Sequence, residues 1–237
     1  MVRRRIDTEV RLYALNANLT LSCRVISIFR VRITTPKCEE GEMETNNILD
    51  RYRRAQDAFD AVLTAVRPEQ WNAGSACELW TARDVVGHVI WGLEVLSHHA
   101  TGQEYSVRSG PPGSDNPGEL AGPDPLARWR ASRHAADAAL TDEILQRPAP
   151  AWVVDRRPDA TVSDFLELTT LDTVVHTWDV GSALGMDVHL EPDLVARSFS
   201  LARLGIVRSP STFGPRLTPP PGADQQSRLL AFVGRSV

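Results

Sequence analysis

From about residue 46 onward the apolar residues of this chain recur at steps of three and four, and each such stripe is bounded by residues that start or stop a helix. Ile48, Tyr52, Ala55, Phe59, Val62 and Val66 form the first stripe, which predicts a helix over 46–66 ending before Pro68. Thr81 with Asp84 three residues later resembles a capping box with Asp in place of Glu. It opens a second helix to His99, striped by Val85, His88, Val89, Gly92, Leu93 and Leu96. Asp124 before Pro125 pairs a cap with the one position where proline suits a helix. The third helix then runs to Leu140 through Leu126, Trp129, Arg133 and Ala136. Thr161 and Asp164 cap a fourth helix to Leu184, with Gly185 as its stop. A shorter fifth helix spans Glu191 to Leu204, and the tail RLLAFVGR adds a helical turn or a short strand. Residues 101–122 and 147–158 are read as loops from their Gly, Pro, Ser and Asn content. Four long striped helices specify an all-α fold, a four-helix bundle with a short C-terminal helical extension. The connection between helices two and three, about 25 residues, is long enough for a parallel crossover.

Composition narrows the classes. With 42% hydrophobic residues among 237, the chain can build a core. The net charge of −4 leaves no basic footprint for nucleic acid, and no apolar run is long enough for a transmembrane helix. The location expected is therefore the cytoplasm. Residues 1–42 differ from the rest: they carry +3 of the net charge, leaving −7 on residues 43–237, and hold Cys23 and Cys38. They show no sustained period and no apolar core of a signal peptide or lipoprotein leader. We expect 1–42 to be a disordered arm or an extension from an upstream start, and 43–237 to be the bundle, including a tail over 186–237. Cys77 is then the bundle's one cysteine, without CxxC spacing, and is expected to be semi-buried.

The polar residues inside the apolar stripes carry the chemistry. On helix four, Phe165, Leu168, Asp172, Val175 and Asp179 share a stripe, and His176 follows Asp172 by four residues. That spacing stacks the two side chains on one helix face. An inward carboxylate is costly unless it meets a cation or hydrogen-bond donors. Helix two presents His88 among apolar neighbours in the same way. Two facing helices can therefore bring His88, Asp172 and His176 together, a set suited to Zn²⁺, Ni²⁺ or Fe²⁺. Three protein ligands leave a position open for water or substrate, and Asp179 can orient a ligand from behind. Each residue also has a plainer reading, as a hydrogen-bonded core histidine or a helix-surface ion pair. His98 and His99 fit the C-terminal end of their helix, His134 faces solvent, and His189 falls in a loop. Trp80 and Trp178 are expected near the site because each flanks it in sequence. There is no GxGxxG or GxxxxGK[ST] phosphate loop and no GxSxG elbow.

Two segments, QWNAGSACELWTARDVVGHV at 70–89 and LDTVVHTWDVGSALG at 171–185, with DQQSRLLAFVGR at 224–235, carry a family resemblance. The chain resembles the metal-binding domain of mycothiol-dependent maleylpyruvate isomerases, and more closely the stand-alone actinobacterial proteins of that group within the DinB-like superfamily. The resemblance implies a DinB-like four-helix bundle and a divalent metal, most often zinc, with its histidines at His88 and His176 and its carboxylate at Asp172. The full isomerase has a further domain that helps hold its substrate, and the stretch after Gly185 is too short for it, so maleylpyruvate isomerisation itself is not expected.

Two functions compete on this footing. One is a metal-dependent transferase or isomerase-like enzyme in which a low-molecular-weight thiol, mycothiol by resemblance, attacks an electrophile. The other is a non-catalytic metal-binding bundle in stress response or regulation, with a homodimer expected through a helix face in that case.

Overall fold

The computed structural model describes residues 41–237 apart from 156, 207 and 209–211, with side chains from residue 47 onward. All but the last two residues of the expected 1–42 extension lie outside the described residues. The chain forms α1 (Gly41–Thr64), α2 (Ala82–Ala100), α3 (Pro125–Ala139), α4 (Asp142–Leu145), α5 (Ala151–Val154), α6 (Val162–Ala183), α7 (Pro192–Gly205) and α8 (Gln225–Phe232). Two 3₁₀ helices, Pro68–Asn72 and Pro117–Ala121, precede α2 and α3. Among the described residues there is no strand, only isolated bridges, so the fold is all-α as expected. None of the described helices is long and apolar enough to cross a membrane.

The cap signals act as the sequence predicts. Thr81 Oγ1 accepts from the Asp84 amide while Asp84 Oδ2 accepts from the Thr81 amide at 2.9 Å. Thr161 and Asp164 repeat this reciprocal pair at the start of α6. Asp124 caps α3, and Gly185 adopts φ +70° just past α6, a conformation a side chain would disfavour.

Other boundaries differ from expectation for local reasons. α1 starts at Gly41 rather than 46 and stops at Thr64, because the Ala65 and Val66 amides bond three residues back and tighten the last turn. The loops over 101–122 and 147–158 contain short helical turns. The tail is an eight-residue helix, with Asp224 capping the Ser227 amide, rather than a single turn or a strand.

α6 is the central element. It packs on α1, α2 and α7, while α2 also packs on α3 and on the 117–121 turn. Tyr52, Phe59, Ile90, Leu93, Leu96, Trp129 and Leu166 lie in the main core with almost no exposure. A second cluster joins Leu171, Val174 and Val175 of α6 to Leu194, Leu201, Leu229 and Val233, which docks the tail on the bundle. Buried Glu167 of α6 ties α1 and α7 together by accepting from Arg51 and Arg197. The loop before α3 lies directly on α2: a Cβ at Gly87 would fall 1.9 Å from the Pro117 carbonyl oxygen. That contact fixes the loop that reaches the candidate site.

Candidate metal centre

α2 and α6 pack face to face, and His88 from one meets Asp172 and His176 from the other. His88 Nε2 lies 3.3 Å from Asp172 Oδ2, and His176 Nε2 lies 3.4 Å from Asp172 Oδ1. The imidazole rings stand nearly perpendicular, 5.1 Å between centroids. Both histidines are buried, while the Asp172 side chain keeps 28% of its surface exposed and so marks the open side.

The far nitrogen of each ring is already committed. His88 Nδ1 donates to the Gly110 carbonyl at 2.7 Å, and His176 Nδ1 donates to Asp179 Oδ2 at 2.9 Å. The two Nε2 atoms are therefore the ones directed at Asp172. The 101–116 loop can make its contact only because residue 110 is glycine, since a Cβ there would fall 2.2 Å from Trp91 Cβ. Trp91 stacks on His88 with centroids 5.9 Å apart. Trp80 leans on both rings at 5.2 and 6.5 Å and donates Nε1 to the Ser114 carbonyl.

Behind His176 lies a closed polar network. Asp179 is fully buried and accepts from Arg235 Nε at 3.0 Å and Nη2 at 2.7 Å. Arg235, itself 6% exposed, also donates to Cys77 Sγ and to the Val233 carbonyl. The Cys77 thiol donates to Asp179 Oδ2 at 3.2 Å.

The charges follow from this packing. Burial pushes the Asp172 carboxyl up, but His176 and His88 outweigh it and hold it well below the usual carboxylate range. Burial opposes charge on His176 too, and Asp172 overcomes it, with help from hydrogen bonds to Asp172, Asp179 and Cys77, so its pKa lies well above an ordinary imidazole's. Asp179 is depressed against its burial by Arg235 and His176. The Cys77 thiol is pushed up by burial and then by the Asp179 charge.

These residues fit a divalent cation. His88, Asp172 and His176 offer atoms lying within 4.8 Å of one another. Two ligand atoms of a tetrahedral ion bound at 2.0–2.1 Å are about 3.4 Å apart, close to both histidine–carboxylate separations. Cys77, His176 and Asp179 are equally close together. That second group is an ion-pair network, because Arg235 already takes both Asp179 oxygens and His176 would have to offer its protonated Nδ1.

The structure thus brings together the three residues singled out in the sequence and places Asp179 against His176. Trp80 lies at the site as expected. Trp178 does not: it packs with the tail cluster, and Trp91 occupies the place beside His88. Cys77 is half-buried as expected. His98 bonds the Glu94 carbonyl within the last turns of α2, while His99 reaches the Pro148 carbonyl. His134 and His189 are exposed. Arg235, Cys77 as its partner, and the Gly110 carbonyl were not legible as site residues. A hint lay in the conjunction of a C-terminal Arg with an inward Asp lacking a cation on its own helix.

Fold and site together define an all-helical bundle protein with a two-histidine, one-carboxylate cluster between two of its helices. The chain belongs to the family of the mycothiol maleylpyruvate isomerase N-terminal domain, whose model matches residues 52–181. It is similar to two uncharacterized proteins of Mycobacterium tuberculosis, MT0763 of strain CDC 1551 / Oshkosh and Rv0738 of strain H37Rv. Each is 31% identical over 199 residues, covering 78% of this chain and 96% of the relative. No solved structure matches the chain.

Proposed function

We propose that this protein holds a divalent cation, Zn²⁺ by preference, on His88, Asp172 and His176, and activates a low-molecular-weight thiol for transfer to an electrophile. Mycothiol is the thiol its family membership suggests. The observation that carries the reading is the commitment of both Nδ1 atoms to acceptors, which leaves the two Nε2 atoms directed at one carboxylate as the ligand atoms a cation would meet once it displaces the protons there. When bound, such an ion supplies a Lewis acid that lowers a thiol's pKa into the thiolate range.

The chain's own residues do the rest. Gly110 and Asp179 fix the ring tautomers and orientations. Trp80 and Trp91 cover ring faces and keep water from them. Asp172, the one partly exposed member, lies on the side where a ligand would enter. In addition to an electron-poor double bond, the sulfur forms the new C–S bond and the adduct takes up the proton the thiol released. No further reactant is needed.

Metal analysis of wild type beside His88→Ala tests the centre, with loss of metal in the variant expected. Unchanged metal content would refute it. Thiol conjugation assayed with His176→Ala tests the chemistry: activity equal to wild type would remove the ion from the mechanism.

A further inference from the structure

Leu79 is the one non-glycine residue with positive φ among the described residues, at +70°. Its side chain is 95% exposed, the most exposed of the large apolar residues described. Both features are unusual for leucine, and they coincide in a four-residue turn at the site. The Trp80 amide donates to the Cys77 carbonyl at 3.0 Å, so Leu79 occupies the third position of the turn, where a left-handed conformation favours Gly or Asn.

The surrounding loop is stapled. The Ser75 amide donates to the Trp80 carbonyl, the Ala82 amide donates to the Ala73 carbonyl, and Ser75 Oγ accepts from the Cys77 amide. The turn's two ends are both committed to the candidate centre. Cys77 touches the Asp179 and His176 side chains, and the Trp80 ring leans on His88 and His176. The tip between them is thus held next to the centre, with its apolar side chain in solvent. Packing does not explain the leucine, since it is almost entirely exposed. Turn geometry does not explain it either, since glycine would relieve the backbone. Strain kept at the edge of a site points to a ligand contact.

We propose that Leu79 is a specificity-determining residue that contacts the hydrocarbon part of whatever ligand occupies the open side of the centre. This rests on the metal-centre reading above and narrows the electrophile to one with an apolar portion. The test is calorimetric titration of the Zn²⁺-loaded protein with straight-chain alkyl hydroxamates, from acetohydroxamate to octanohydroxamate. The hydroxamate group chelates the ion, and the chain reaches outward by increments.

For wild type, affinity is expected to rise with chain length, by up to about fourfold for each methylene that gains contact. In Leu79→Gly and Leu79→Asn, which both suit the turn, the gain from shortest to longest chain should shrink by about tenfold. The thermal midpoint of these variants should stay level or rise. Equal chain-length dependence in wild type and both variants would overturn the assignment to Leu79. Failure of wild type to take up Zn²⁺ on His88 and its partners would overturn the metal-centre reading before any titration. Zinc-loaded wild type that binds no hydroxamate, or binds all chain lengths equally, would instead overturn the assignment to Leu79, so the two failures are distinguishable.

Discussion

Truncating Arg235 to alanine removes the only guanidinium among the described residues that reaches Asp179. That carboxylate has no exposed surface and is left with His176 and Cys77 as partners. Removing one member of a buried ion pair leaves an uncompensated charge and costs about 3–5 kcal/mol. A domain of this size has on the order of 5–15 kcal/mol to lose, so the variant should remain folded but be severely weakened. At roughly 2–4 °C per kcal/mol for a chain of this length, the thermal midpoint should fall by on the order of 10 °C. Arg235→Lys keeps a charge but not the two-pronged contact and should fall in between. Pairing Arg235→Ala with Asp179→Asn in a double-mutant cycle isolates the interaction, because the double variant buries no lone charge. The expected result is a coupling of about 2 kcal/mol or more, the double variant being less damaged than the sum of the singles. Strictly additive losses, or a single-variant cost below about 1 kcal/mol, would refute the view that the tail clamps the residue behind His176.

Other perturbations read different contacts. Gly110→Ala forces a Cβ to within 2.2 Å of Trp91 and displaces the carbonyl that holds His88 Nδ1. Zn²⁺ affinity, measured by chelator competition, should drop about 10–100-fold. His176 has a raised pKa in the metal-free protein, so a cation must displace its proton. Affinity should therefore climb with pH between about pH 6 and 8, where an unperturbed histidine would show little further gain above its own pKa near 6.5. The pair behind His176 is read in stability and at lower pH. Asp179 is depressed in the folded state, so its contribution is fully present above the ordinary carboxylate range near pH 4 and is lost as pH falls through its lower folded value. Urea unfolding of the metal-free protein in acid should show that loss, reduced in Asp179→Asn. Cys77, with its raised pKa and partial burial, should react slowly with iodoacetamide at neutral pH and rapidly once the protein is unfolded.

Much of this protein is local in origin. The start of α2 at Thr81 and of α6 at Thr161, and the stop at Gly185, each depend on residues within one turn of chain, and the sequence shows them all. So does the shared face of Asp172, His176 and Asp179, because a helix advances about 100° per residue wherever it is placed. The stripe read on α6 is one part of its buried surface and not its single inward face, since the folded helix is buried on nearly every side.

Only tertiary packing decided the rest. His88 meets Asp172 because α2 crosses α6 at that level, and Gly110 meets His88 because the backbone of the loop before α3 lies against α2 at Gly87. Arg235 meets Asp179 across 56 residues of chain. Such contacts leave no periodic trace: each is a single polar residue whose partner lies on another element, and its pairing is fixed by the burial that makes an unpaired charge too costly. The sequence alone therefore determined the long helices and the candidate ligand residues, while the packing of α2, α6 and the tail determined that those residues face one another.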